Sequence, residues 1–155
     1  MDRAKDIMTA PAISVTEDQT LREVIALLAE HRYSGFPVVD ADSIVIGIIS
    51  DTDIIRYSHS ISVIPHASSS FWVSPYTEVS DVASLRKGYE LLNKTTVGQV
   101  MTKKVYTVTE DTPAPEVAKL MNRRKINRVP VVDSSGKLVG IVTRADMVQC
   151  MAKLT

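Results

Sequence analysis

Laid on itself at an offset of 93 residues, the chain aligns positions 6–55 with 99–148 without a gap, and 16 of these 50 pairs are identical. The identities fall in blocks. Met8-Thr9 matches Met101-Thr102, Val15-Thr16-Glu17-Asp18 matches Val108-Thr109-Glu110-Asp111, and Pro37-Val38-Val39-Asp40 matches Pro130-Val131-Val132-Asp133. Gly47-Ile48 repeats as Gly140-Ile141, and Asp53 as Asp146. Such self-similarity marks two copies of one structural unit. A unit of about 50 residues is too small to cover a sheet on both faces by itself, so each copy is expected to lean on its twin.

Each copy reads as strand, helix, strand, strand, helix. In the first, Ala12–Val15 is a short strand. Thr20 followed by Glu23 has the spacing of a helix N-cap and capping box, and Val24, Leu27 and Leu28 recur at the spacing of a helix with one buried face. The second copy keeps Val117, Leu120 and Met121 there, with Pro113 and Pro115 confined to the first turn, where a missing amide hydrogen costs little. Two β-rich runs follow, Phe36–Val39 and Ile44–Ile49, joined by the polar turn Asp40–Ser43 into a hairpin. Val129–Val132 and Leu138–Val142 repeat it around Asp133–Gly136.

Residues 59–80 break the pattern with Pro65, Pro75 and three serines at 68–70, and read as an irregular connector. Phe71 and Trp72 suit an apolar anchor for this loop. From Asp81 a helix is expected, with Val82, Leu85, Tyr89 and Leu92 on one stripe and Gly88 weakening it.

Eighteen basic and eighteen acidic side chains cancel, which removes the usual long-range attraction for a polyanion or an anionic membrane. The basic run Arg123–Arg128 is too short to signal nucleic-acid binding, and helix-end cations satisfying carbonyls explain it more simply. No apolar run approaches the roughly 20 residues needed to span a bilayer. The N-terminus leads into no secretory signal, so a cytoplasmic location is expected. Cys150, the single cysteine, reads as a small packing residue near a helix end. His31, His59 and His66 show no metal-ligand spacing, and no set of nucleophile, base and orienting group suggests an enzyme. Neither metal nor cofactor is expected.

The duplicated unit has a Met-Thr start, a Pro-Val-Val-Asp strand, and a segment running onto a helix: Gly-Ile-Ile-Ser-Asp-Thr-Asp at 47–53, Gly-Ile-Val-Thr-Arg-Ala-Asp at 140–146. These features resemble the CBS domain, named after cystathionine beta-synthase. The likeness covers both repeats, about two thirds of the chain. The long connector with its own helix is similar to that of stand-alone CBS-pair proteins. The resemblance implies an α/β (α+β) fold, a tandem of β-α-β-β-α units packed sheet to sheet about a pseudo-twofold axis. Residues 1–58 form one repeat, 59–95 the connector and 96–155 the second repeat.

The function so implied is regulatory, with an adenosine compound (AMP, ADP, ATP or S-adenosylmethionine) held in a cleft between the repeats. Ser50 and Thr143 would stand where a strand hands over to a helix N-terminus whose free amides suit a phosphate. Asp53 and Asp146, one turn on, would accept hydrogen bonds from ribose hydroxyls. Plain helix capping would look the same in sequence. By the family pattern one cleft combines Thr143 and Asp146 with Met8, Ile13, Tyr33 and Ser34. The other combines Ser50 and Asp53 with Met101, Tyr106, Ile126 and Asn127. Phosphate contacts carry over to Asn127 and Arg128; for Arg128 the alternative is a solvated surface arginine. Ser34-Gly35 offers no charge at the matching place, so the cleft closed by Thr143 and Asp146 is preferred. A homodimer is expected, signalling to a target enzyme or transporter. The rival function is a dimerisation or docking scaffold that binds no nucleotide.

Overall fold

The computed structural model describes residues 1–60 and 79–154, with side chains from 1–59 and 86–154. The expected connector loop with Phe71 and Trp72, and the helix positions Val82 and Leu85, lie outside the described side chains. In chain order the elements are α1 (Ala4–Ile7), β1 (Val15–Thr16), α2 (Leu21–His31), β2 (Gly35–Val39), β3 (Val45–Ser50) and α3 (Asp51–Ser60). Then come α4 (Val79–Lys94), α5 (Val97–Val100), β4 (Val108–Thr109), α6 (Ala114–Arg124), β5 (Arg128–Val132), β6 (Leu138–Thr143) and α7 (Arg144–Ala152). The fold is mixed α+β, with two three-stranded sheets ordered β1-β2-β3 and β4-β5-β6.

The chain divides into two compact units, and neither is a continuous stretch of sequence. The first comprises Met1–Ser14, Val39–Gly47 and Lys103–Thr155; the second, Val15–Val38 and Ile48–Thr102. Helix α1, which opens the first repeat, thus belongs to the unit holding β4, β5, β6, α6 and α7, and α5 belongs to the unit holding α2 and α3.

In the first unit β4 runs parallel to β5, with Val108 opposite Val131, and β5 runs antiparallel to β6, with Arg128 opposite Thr143 and Val129 opposite Val142. Ala4, Val108, Val117, Met121, Val129, Val131 and Val142 form the buried core, with Ile7, Met8, Ile126 and Met147 packed against it. A four-residue helix gains too few hydrogen bonds to persist alone. Here α1 is held from outside: the Ala4 amide donates to the Thr112 carbonyl at 2.8 Å, and the Lys5 amide to that of Glu110 at 3.0 Å. Beyond it, Thr9 and Ile141 exchange backbone hydrogen bonds of 2.8 and 3.1 Å, which covers the free edge of β6. Cys150 is buried near the end of α7, and burial pushes its thiol up from the ordinary range.

The second unit repeats the plan. Its core includes Val15, Leu21, Val24, Phe36, Val38, Ile49, Ile54, Leu92 and Val97. Val97 donates to the Gln19 carbonyl and Gly98 to that of Glu17, while Thr102 and Ile48 exchange backbone bonds of 2.8 and 2.9 Å. Helix α2 is capped by the Thr20 hydroxyl, which accepts from the Glu23 amide at 3.2 Å.

Three sequence expectations need correction. The strand expected at Ala12–Val15 is Val15–Thr16, because only that dipeptide joins the sheet. Helix α4 begins at Val79 rather than Asp81. Its Tyr89 is 59% exposed, so the stripe loses one member, while Leu92 is buried. The two four-residue helices α1 and α5 were not foreseen, since one turn carries no periodicity.

Candidate functional site

The chemistry-bearing residues collect where the last strand of each sheet turns into a helix. Thr143 ends β6 in an extended conformation and caps α7. Its hydroxyl accepts from the Asp146 amide at 3.3 Å, and Asp146 Oδ2 accepts from the Thr143 amide at 2.9 Å and from the Thr143 hydroxyl at 3.0 Å. Asp146 Oδ1 takes only a long bond, 3.4 Å, from the Thr9 hydroxyl. The second unit draws the same figure. Asp53 Oδ2 accepts from the Ser50 amide at 2.9 Å and hydroxyl at 3.0 Å, and Oδ1 accepts from the Thr102 hydroxyl at 3.1 Å.

Both acids therefore do the work of capping, the alternative that the sequence left open. Capping does not exhaust them. An ionised carboxylate offers about four lone-pair sites, and the three hydrogen bonds above leave one on Oδ1. Asp53 is 8% exposed, whereas Asp146 is only half-buried. The Thr9 bond is also at the weak end of hydrogen-bond geometry. Asp146 is the acid that can turn an oxygen to an incoming hydroxyl at lower cost.

Charge separates the two caps further. Arg128 opens β5 directly opposite Thr143 in the ladder. It is buried, at 9% exposure, which corrects the reading of a solvated surface arginine. Its position in the other repeat is Gly35. The residue after the cap is Arg144, whose amide donates to the Asn127 carbonyl at 3.0 Å and whose guanidinium reaches Asn127 Oδ1 at 3.5 Å. In the second unit that residue is Asp51, whose amide donates to the Ser34 carbonyl at 2.8 Å. The residues flanking one cap in the backbone are thus Arg128 and Arg144, and those flanking the other are Gly35 and Asp51, a contrast in charge.

The remaining sequence candidates sort by unit. Met8, Ile13, Asn127 and Arg128 share the first unit with Thr143 and Asp146; Tyr33 and Ser34 belong to the second. Tyr33 stacks on His31 with ring centres 5.5 Å apart and leans on Phe36. Of the second set, Met101 shares a unit with Ser50 and Asp53, whereas Tyr106, Ile126 and Asn127 lie in the first. The Tyr106 ring is covered by Arg124, 4.6 Å from its centre, and faced by Lys104 at 5.8 Å. Sequence reasoning missed Thr9, Thr102 and Arg144. The repeated Met-Thr pair signalled the threonines, and the offset alignment, which sets Arg144 against Asp51, signalled the charge contrast.

The family model described as "CBS domain" matches residues 4–60 and 97–153. The uncharacterized protein MJ1426 of Methanocaldococcus jannaschii is 34% identical over 151 residues, which are 95% of this chain and 89% of that protein. The chloroplastic CBS domain-containing protein CBSX1 of Arabidopsis thaliana is 35% identical over 87% of this chain, which spans only 57% of that relative's length. Among solved structures, CBSX2 in complex with AMP superposes with a TM-score of 0.73 at 26% identity, covering 99% of this chain and 98% of that one. The CBS domain pair of protein MJ0100, in complex with 5′-methylthioadenosine and S-adenosyl-L-methionine, superposes with a TM-score of 0.74 at 26% identity, covering 100% and 99%. Among the described residues no helix is long and apolar enough to cross a membrane. With both of its repeats matched and its whole length superposed, the chain belongs to the CBS domain family as a tandem pair.

Proposed function

We propose that this protein is a cytoplasmic regulatory module that binds an adenosine nucleotide at the Thr143 cap, with Asp146 accepting from the ribose and Arg128 and Asn127 serving the phosphate. Met8 and Ile13 supply apolar wall from the same unit, and Tyr33 and Ser34 are assigned to the adenine by the family pattern. The observation that carries the reading is the contrast between the two caps: an accessible acid framed by arginines in one, a buried acid beside Asp51 in the other. The adenosine ligands of CBSX2 and of the MJ0100 pair support the ligand class. The second set, Ser50, Asp53, Met101, Tyr106, Ile126 and Asn127, is the weaker site. No chemical step is required. Occupancy acts by its differential affinity for two arrangements of the protein, which a target enzyme or transporter reads, and the working form is a homodimer.

Calorimetric titration and thermal shift with AMP, ADP, ATP and S-adenosylmethionine test this. A ligand at a hundredfold its Kd adds about 2.7 kcal/mol of stability, or roughly 5–10 °C for a chain of this size. Asp146→Asn keeps one acceptor for the cap, and is expected to weaken binding at least tenfold, with Asp53→Asn having a smaller effect. Absence of any shift with all four compounds would favour the scaffold reading, which the exposed Ile55 and Val148 on α3 and α7 support.

A further inference from the structure

Gly140 is buried in the middle of β6, opposite Val131. Its backbone is not left-handed, unlike that of Gly136, so the conformation there does not call for glycine. What glycine provides at this position is room. Side chains alternate along a strand, which puts position 140 on the face of β6 that carries Val142 into the core. The side chain missing there is replaced by that of Met8, the C-cap of α1, which packs against the same core. A Cβ on Gly140 would collide with Met8 Sδ, lie 2.9 Å from Met8 Cγ and stand 3.2 Å from the Thr9 carbonyl oxygen. Met8 could swing aside only by vacating its place in a close-packed interior. The Thr9 carbonyl, which accepts from the Ile141 amide, could yield only by a shift of the backbone.

That backbone carries a side chain of the ligand site. The Thr9 hydroxyl reaches Asp146 Oδ1 at 3.4 Å, near the outer limit of hydrogen-bond length. A small outward shift of Met8 and Thr9 therefore breaks it. The bond matters because of what holds the other oxygen: Oδ2 accepts from the amide and the hydroxyl of Thr143. With Thr9 on Oδ1, both oxygens are anchored, and the carboxylate keeps one open lone pair in a set direction. An acceptor fixed beforehand takes an incoming hydroxyl with little ordering cost. Met8, Thr9, Gly140, Thr143 and Asp146 all belong to the first unit.

We infer that Gly140 is a positioning residue for the ligand site: by leaving room for Met8 it sets the reach of Thr9 to Asp146, and so the aim of that acid at a ribose hydroxyl. Neither Gly140 nor Thr9 needs to touch the ligand for this. The inference rests on the nucleotide reading and adds to it the residues that decide how strongly the site distinguishes a ribose from a sugar without hydroxyls.

Calorimetry on the full-length chain with AMP and ATP, each beside its 2′,3′-dideoxy form, tests this, since the dideoxy sugars have no hydroxyl to donate to Asp146. The parent is expected to prefer the ribose form by about tenfold or more, the worth of a hydrogen bond to a charged group. In Gly140→Ala that preference should fall to about threefold or less. Thr9→Val, which removes the hydroxyl and leaves Met8 in place, should lower it likewise. Adding Met8→Ala to Gly140→Ala removes the atoms that the new methyl would meet, and should return the preference to within about twofold of the parent. An unchanged preference in Gly140→Ala, with both forms weakened alike, would make the glycine a packing residue and overturn the inference. So would full preference in Thr9→Val. Hydrogen exchange at the Thr9 amide needs no nucleotide; it should quicken about tenfold in Gly140→Ala and recover in the double variant. If Gly140→Ala does not fold, folding regained in the double variant supports the contact with Met8, and failure of both overturns it. A parent that binds neither AMP nor ATP would overturn the nucleotide reading and the inference together, whereas a parent that binds them and whose preference no variant alters would overturn the inference alone.

Discussion

Ser43 and Gly136 occupy the same place in the two hairpin turns, and both adopt positive φ, 65° and 86°. Each turn is organised by an aspartate. Asp40 Oδ1 accepts from the amides of Asp42 and Ile44, and Asp133 Oδ1 accepts from those of Ser135 and Lys137. The Ser135 hydroxyl, more than the backbone, holds the Asp133 carboxyl below its usual range. The left-handed conformation costs an ordinary residue roughly 1–2 kcal/mol and costs glycine almost nothing, although glycine surrenders more freedom on folding. Ser43→Gly should therefore stabilise the protein by about 0.5 kcal/mol, read as a shift in urea midpoint with unchanged slope. At the same scale the site was partly legible. Thr143 and Asp146 followed from the repeated hydroxyl and acid, but the burial of Arg128 did not, because arginine at a strand start reads as surface until the opposite strand is known.

Helices α2 and α6 could be read from their apolar spacing, and both end in a left-handed residue, Arg32 and Lys125, at matched positions. The four-residue α1 and α5 could not, since their stability comes from partners far along the chain. Helix α1 is also tied to Asp111, which accepts from Lys5 at 3.1 Å and from Arg3 at 3.0 Å. These bonds, Lys5 foremost, hold the Asp111 carboxyl below the ordinary aspartate range. A folded-state value lowered in this way stabilises the fold above the unfolded value, near pH 4, and the gain is lost as pH falls through the lowered one. Asp111→Asn should accordingly lower the melting temperature at pH 7 by a small amount that shrinks in high salt. The gap to the parent should narrow progressively below about pH 4. A gap independent of pH would show that the Asp111 ion pairs contribute nothing and that α1 is held by its backbone hydrogen bonds and the burial of Ala4.

At the scale of the molecule the two repeats of sequence are not the two compact units: the first unit needs residues 1–14 and 39–47 beside residues 103–155. Residues 96–155 expressed alone should therefore lack the cover over Val117 and Val142 and the strand-like pairing of Thr9 with Ile141, and give a poorly dispersed amide spectrum. Adding a peptide of residues 1–14 should sharpen it, whereas a well-ordered fragment without the peptide would show that the exchanged segment is dispensable. Sequence alone determined the duplication, the order of the strands and the longer helices within each copy, and the pairing of a hydroxyl with an acid at each strand-to-helix turn. It could do so because those features are set by local periodicity and by residues only three apart. Only the tertiary structure decided how open each carboxylate remains and which apolar knobs stay uncovered. Those depend on contacts between residues as distant as Thr9 and Asp146, for which the chain carries no local signal.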